Sequence, residues 1–304
     1  LEKSLTFYSS GKLLISGEYA VLDGAKALAL PTTLGQTLEV CATSKKNIEW
    51  TALDAHGNQW YHEVFSIKDF TPVNPKDLTS QRLSQLLTEA RKDQPDFLMQ
   101  SHGVHVKTKL GFDRDWGLGS SSTLVNNVAQ WANVDAYLLQ EKVFGGSGYD
   151  IACAQKKSPI VFQKTKDRPL VEEVDFWPNF HKNLFFIHLN QKQNSRLAIR
   201  NHYKGSSPFQ IETINELTDA FLSAKSLDDF QKTMDNHENC IGNLIGHTPV
   251  HQKLFSDYQG SIKSLGAWGG DFVLACGPTN SADYFMEKGF TTILPFGKII
   301  SRGS

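Results

Sequence analysis

The run Asp115-Trp116-Gly117-Leu118-Gly119-Ser120-Ser121-Ser122-Thr123 constrains this chain more than any other feature, because it sets small, flexible residues directly before the strongest helical pattern in the sequence. From Ser120 to Lys142 the apolar residues Leu124, Val125, Val128, Ala129, Ala132, Ala136 and Leu139 recur at helical spacing with no Pro or Gly between them, which predicts one continuous helix. A loop of this kind bares backbone N–H groups. Its glycines permit close approach, the helix N-terminus adds partial positive charge, and the serine hydroxyls supply further donors or a magnesium ligand. A phosphate chain fits such a cradle. Each helix-terminus contribution is about 0.3 to 1 kcal/mol at an exposed site, so binding needs several N–H groups acting together. The plainer alternative is a serine-rich cap after an ordinary turn, and the string alone leaves both open. The GxxxxGK[ST] loop, the GxGxxG dinucleotide fingerprint after a strand, and the HRD and DFG signatures are all missing.

Two more glycine-rich stations carry charge. In Gly11-Lys12-Leu13-Leu14-Ile15-Ser16-Gly17-Glu18-Tyr19-Ala20-Val21 a lysine and a glutamate flank an apolar strand that ends in a glycine turn. Lys12 is placed to neutralise phosphate charge, and Glu18 to orient it or to hold a substrate hydroxyl; a surface lysine and a turn glutamate are the alternative. In Gly145-Gly146-Ser147-Gly148-Tyr149-Asp150-Ile151-Ala152 an acid sits just before a small apolar stretch. A carboxylate held there can accept a proton from a hydroxyl that attacks a γ-phosphoryl group. Capping of a helix from Ile151 to Gln155 is its structural alternative, and the two roles are compatible.

Around these stations the chain reads as mixed α and β. Phe7 to Val40 predicts strands joined by tight turns, Lys45 to Glu63 a hairpin or meander, and Ser80 to Lys92 a helix with Ser80 as N-cap and Leu83, Leu86, Leu87 and Ala90 on one face. His102 to Leu110 alternates as a strand. The segment from Lys164 to Pro178, charged and holding two prolines, predicts a linker, with a first domain over 1–165 and a second over 166–304. In the second half a strand over Asn183 to Leu189 precedes helices over Phe209 to Ala224 and Leu227 to Ile245, then a strand over Phe272 to Ala275, which makes an α+β domain.

Composition narrows the partners. With 31 Lys plus Arg against 32 Asp plus Glu, no basic field exists to gather nucleic acid or anionic lipid. Cys41, Cys153, Cys240 and Cys276 show no metal-ligand spacing and suit reduced thiols, so a cytoplasmic location is expected. No apolar run approaches the roughly 18 to 20 residues of a membrane helix, and the given N-terminus lacks a signal-peptide pattern. The histidines, His237, His247 and His251 among them, form no zinc motif. Asn126, Asn127 and Asp135 interrupt the long helical pattern and face either solvent or the cleft, solvent being the default, while Trp116 is the tryptophan placed to pack on an adenine.

Taken in order, these stations resemble the motifs of the galactokinase, homoserine kinase, mevalonate kinase and phosphomevalonate kinase (GHMP) superfamily, and the resemblance covers most of the chain. The stretch from Gly11 to Val21 is similar to the family's first motif and GLGSSS to its ATP-phosphate loop. Lys263-Ser264-Leu265-Gly266-Ala267-Trp268-Gly269-Gly270-Asp271 is similar to its glycine-rich third motif, with Trp268 and Asp271 departing from the plain glycine run. The resemblance implies a two-domain α+β fold, with a left-handed βαβ crossover in the N-terminal domain and a ferredoxin-like C-terminal domain. It implies ATP-dependent phosphoryl transfer with Mg2+, Asp150 and Lys12 being catalytic. Gly117, Leu118, Gly119, Ser120, Ser121 and Ser122 would cradle the triphosphate, with Ser121 and Glu141 as magnesium ligands. Ser9-Ser10 stands where the family has Ala-Pro, and Glu141 lies closer to Asp150 than is usual in mevalonate kinases.

The acceptor implied is a small acid of the mevalonate pathway, mevalonate or phosphomevalonate, since Gly17 to Val21 and Gly146 to Asp150 look more like phosphomevalonate kinases. Glu18, Tyr19, Ser195 and Arg196 are the candidate acceptor contacts, Arg196 as a bidentate grip on carboxylate or phosphate. Diphosphomevalonate decarboxylase, a homoserine or sugar kinase and a noncatalytic nucleotide-binding homologue are the alternatives. Oligomeric state is open, a homodimer included.

Overall fold

The structure is a computed structural model that describes residues 4–99, 102–191, 195–268, 270–300 and 302, and of residues 195 and 196 the backbone alone. Two compact units interleave along the chain: one comprises Leu1–Gly11, Leu34–Arg114 and Gly119–Gln155, the other Lys12–Thr33, Asp115–Leu118 and Lys156–Ser304.

Strands β1 (Leu5–Leu14) and β2 (Ala27–Thr43) belong in part to each unit. The first unit continues with the hairpin β3 (Asn47–Leu53) and β4 (Gln59–Ser66), helix α1 (Leu78–Asp93), strand β5 (Gly103–Leu110), and helices α2 (Ser120–Ala132), α3 (Ala136–Val143) and α4 (Tyr149–Gln155). Asp54 closes the hairpin by accepting the N–H groups of His56 and Asn58, so the expected hairpin is present. Its strand order is β4-β3-β5-β2, with β5 parallel to β3 and antiparallel to β2. Parallel neighbours need a crossover, and α1 lies in the connection that supplies it. Period-two alternation sends Ile48, Trp50, Val104 and Val106 to one face. There they meet Leu83, Leu86, Leu87 and Ala90 of α1 and Val125, Val128 and Ala129 of α2 in one buried cluster.

Three local expectations change. The helix predicted from Ser120 to Lys142 is two helices. Asn133 takes the left-handed conformation (φ 56°) and ends α2, and Asp135 caps α3 by accepting from Tyr137 and Leu138. Both helices bury apolar residues in the same core, so the hydrophobic period runs on across a break that only these two polar side chains mark. Asp77, not Ser80, caps α1; the buried Ser80 hydroxyl instead donates to Glu63 at 2.9 Å. The segment expected to be a linker holds a strand that pairs with its predecessor.

That strand is β7 (Leu170–Glu173), antiparallel to β6 (Ile160–Gln163), and β6 is also antiparallel to Ala27–Ala29 of β2. There follow β8 (Leu184–His188), α5 (Ser195–His202), α6 (Pro208–Ser223), α7 (Leu227–Ile245), α8 (Val250–Leu254), β9 (Ser261–Ser264), β10 (Phe272–Cys276), α9 (Ser281–Glu287), β11 (Ile293–Pro295) and α10 (Phe296–Ile299). The second sheet has the order β11-β8-β10-β9, every pair antiparallel. Numbered from β8, this is the spatial order 4-1-3-2 with helices after the first and third strands, the ferredoxin-like βαββαβ pattern. A Ser207–Gln210 capping box with Pro208 starts α6, and Gly246 in the left-handed conformation ends α7. No described helix is long and apolar enough to cross a membrane.

Candidate phosphate-binding site

Gly119 is the N-cap of α2 at φ 93°, and Gly117 is also left-handed at φ 66°; neither angle suits a side chain. Because Gly119 has no side chain to cap with, the N–H groups of the first turn are not consumed by the cap residue, and by helix geometry they have no acceptor within the helix. Thr123 N–H closes the first turn on Gly119 O at 3.0 Å. The side chains of the following residues divide. Ser122 is buried with its hydroxyl on Gly119 O at 2.9 Å, and Thr123 donates to Gln36 at 2.8 Å, so both brace the loop. Ser121 is exposed and Ser120 half-buried. Backbone donors with an exposed serine at a helix N-terminus fit a phosphate chain and its counter-cation.

Lys12 reaches this loop through its backbone: its N–H donates to Leu118 O at 2.9 Å. On the other side of Gly117 lies the Asp271 carboxylate, which occupies the space a Cβ at position 117 would need. Trp116, expected against an adenine, packs on Phe272, edge to face at 5.7 Å, and beside His188.

Asp150 sits in the first turn of α4, half-buried, with its own Oδ1 accepting the N–H of Ile151 at 3.1 Å. Helix α4 is tied to α2 by Asn126, whose amide donates to Ala154 O at 3.4 Å and accepts from Gln155 at 3.2 Å. Asn126 also donates to the Ser9 hydroxyl at 2.8 Å, which donates to Asn127 at 2.7 Å, and Asn127 donates to Gln36 O at 3.0 Å. Both asparagines are buried, so the solvent-facing expectation for them is overturned: their hydrogen bonds run to β1, β2 and α4. Tyr137, with its pKa pushed up to about 12 by burial first and then by Cys153, Asp135 and Asp150, lies close enough to feel the Asp150 charge. Glu141 is on the exposed side of α3, opposite the buried Leu139, Gln140 and Val143.

The structure gives Glu18 and Tyr19 different partners from those expected. Glu18 has no exposed surface, and its carboxylate is ion-paired with the equally buried Lys263 ammonium. Gly17 N–H donates to His237 Nε2 at 3.1 Å, and Glu238 accepts from the Ser264 N–H at 2.9 Å and hydroxyl at 2.8 Å. Burial, and then the Lys263 charge, hold His237 well below the usual imidazole range; its Nε2 is therefore an acceptor, and its 3.5 Å separation from Glu18 is not an ion pair. Tyr19 is buried, with its hydroxyl on Ala267 O at 2.8 Å. A substrate cannot reach the Glu18 carboxylate in this arrangement. Ser195 and Arg196 open α5, and their side chains lie outside the described residues. Among the described residues no group of three or more His, Cys, Asp and Glu side chains is placed to hold a metal ion.

The same architecture occurs in solved structures. Phosphomevalonate kinase of Streptococcus pneumoniae, in complex with phosphomevalonate and AMPPNP, matches with a TM-score of 0.71 at 15% identity over 95% of this chain and 99% of that one. Mevalonate kinase of Methanococcus jannaschii matches with a TM-score of 0.70 at 16% identity over 96% and 97%. This chain has the GHMP kinase fold. Galactokinase of Lactococcus lactis, complexed with galactose, shares that fold at a TM-score of 0.66 and 13% identity over 94% and 88%. No family model and no curated protein matches the sequence.

Within the GHMP fold, sequence reasoning named Asn126, Lys263 and His237 without their buried partners and passed over Glu238. For Asn126 a signal existed, since an amide within an apolar helical stripe is either a misplaced surface residue or a buried hydrogen-bonding one. For Lys263 the signal was weaker: it sits in a short strand before a glycine-rich loop, and its partner Glu18 is 245 positions away.

Proposed function

We propose that this chain transfers the γ-phosphoryl group of ATP to a small acid of the mevalonate pathway, mevalonate or phosphomevalonate. The observation that carries this reading is the glycine-capped start of α2, with Lys12 bonded to Leu118 in the loop before it, within a fold shared almost end to end with kinases of those two acids. Asp150 accepts the proton of the attacking hydroxyl on its carboxylate. Lys12 lowers that hydroxyl's pKa and offsets charge on the transferring group. The N–H groups of Gly117 to Ser122 hold the phosphates in line, so that rate comes from positioning and electrostatics. Ser121 and Glu141 would hold magnesium, which would offset the phosphates' negative charge; one or two protein ligands suffice for an ion carried mainly by the nucleotide. Ser195 and Arg196 are the proposed acceptor contacts, and residues 1–165 and 166–304 the proposed functional lobes. Glu18 and Tyr19 are assigned to holding the first-motif turn.

The galactokinase match supports a second reading, phosphorylation of a sugar hydroxyl by the same residues. An ADP-release assay with mevalonate, phosphomevalonate, homoserine and galactose separates the two. Turnover with one of the first two acids is expected; turnover with galactose alone moves the acceptor, and ATP binding with no turnover on any of the four rejects the kinase reading. Release of carbon dioxide would instead mark a diphosphomevalonate decarboxylase.

A further inference from the structure

Four ionisable side chains, Glu18, Lys263, His237 and Glu238, lie together with almost no exposed surface, and none of them is used by the proposed chemistry. Burying charge costs several kcal/mol per ion unless it is paired, and here Glu18 and Lys263 pair across two distant segments of the chain. The pair lies at the junction of two motifs. Tyr19, next to Glu18, has φ 62° and ψ -54°, and Ala20 N–H closes a three-residue turn on Glu18 O at 2.7 Å. A γ-turn of that hand is rare and strained, at a cost on the order of 1 to 3 kcal/mol, and persists only where its surroundings determine it.

The third loop is bound to this turn at three places. Lys263, in β9, pairs with Glu18 and also donates to Ser264 O. The Tyr19 hydroxyl donates to Ala267 O. Trp268, left-handed at φ 54° where the family motif has glycine, packs its ring in one apolar cluster with Tyr19, Ile241 and Ile245. Beyond it Asp271, also left-handed at φ 51°, sets its carboxylate against Gly117. We propose that Lys263 is a positioning residue: paired with Glu18, and aided by the Tyr19 hydroxyl, it locks the third loop so that Asp271 fixes Gly117 at the mouth of the phosphate loop. As a role in catalysis this rests on the kinase reading, but the lock itself is a property of this chain's own residues.

The test uses Lys263→Met and, because that variant leaves Glu18 buried without its counter-charge, the gentler Tyr19→Phe. Three quantities are measured on the full chain: melting temperature, AMPPNP affinity by calorimetry, and amide hydrogen exchange at Gly117, Leu118 and Gly266 to Trp268. Loss of one buried hydrogen bond predicts AMPPNP binding weakened about fivefold in Tyr19→Phe, and about tenfold or more in Lys263→Met if it folds, with faster exchange at both loops. A lowered melting temperature with wild-type affinity and wild-type exchange in Tyr19→Phe reduces the cluster to a fold-stabilising role and overturns the proposal. If wild-type protein binds no AMPPNP, the kinase reading fails and exchange at Gly117 and Leu118 decides alone: faster exchange in Tyr19→Phe sustains the lock, and unchanged exchange ends it.

Discussion

Glu18 shows what a carboxylate does when its solvent is replaced by one ammonium group. Burial pushes its pKa up, opposed by the charge and hydrogen bond of Lys263, to about 7 from an ordinary 4.5. With the folded value above the unfolded one, Glu18 takes up a proton on folding between those limits. The stability this contributes is full below about pH 4.5 and lost as pH rises through about 7. Glu238, also raised by burial, acts in the same sense, whereas His237, depressed, contributes above pH 6.5 and loses that contribution as pH falls. Comparing Glu18→Gln with wild type isolates the one group. In urea unfolding the variant should gain on wild type by an amount on the order of 3 kcal/mol as pH rises from 4.5 to 8, whatever its constant offset. A difference that does not vary with pH would show that Glu18 is not titrating in the fold. A second residue, Gly119, was legible from sequence as a loop glycine, and φ 93° explains why it must be one. Gly119→Ala is expected to cost about 1 to 2 kcal/mol in stability and to weaken AMPPNP binding as the cap distorts; calorimetry with wild-type affinity would remove Gly119 from the cradle.

Elements carry the next set of constraints. Helix α2 brings the glycine-rich loop at its start and the buried amides of Asn126 and Asn127, and α4 brings Asp150 at its start and two Asn126 contacts at its end. Asn126 therefore sets the register of the acid-bearing helix on the loop-bearing one. Asn126→Leu, similar in volume, should destabilise by about 1 to 3 kcal/mol, since Ala154 O, Gln155 and Ser9 lose a partner, and should lower kcat more than nucleotide affinity. Steady-state kinetics and calorimetry on the variant check this; equal losses in both would mean that the network serves stability alone. The helices themselves were readable from apolar period, because Leu83, Leu87, Val125 and Val128 all point into one core. The break at Asn133 was not, because a left-handed cap leaves the hydrophobic period intact, and the N-cap of α1 was misread by three residues because Ser80 and Asp77 are both capping types.

For the molecule as a whole, order along the chain said more than any single motif. Three glycine-rich stations, each ambiguous alone, fit the GHMP fold when taken in sequence, and the 4-1-3-2 order of the second sheet and the structural matches agree with that reading. Pairings made only in three dimensions stayed hidden, above all Glu18 with Lys263, because nothing in local spacing couples positions 245 residues apart. Acceptor identity stayed hidden for a different reason: at 13–17% identity a shared backbone does not fix the few side chains that read a substrate. Proton transfer from the acceptor to Asp150, proposed to occur while the glycine-rich loop holds ATP, separates chemistry from binding. It is tested most directly by single-turnover phosphoryl transfer with Asp150→Asn, beside AMPPNP calorimetry. Affinity within about twofold of wild type and a rate lower by about 10² or more is the predicted result, and a rate equal to wild type would contradict the account.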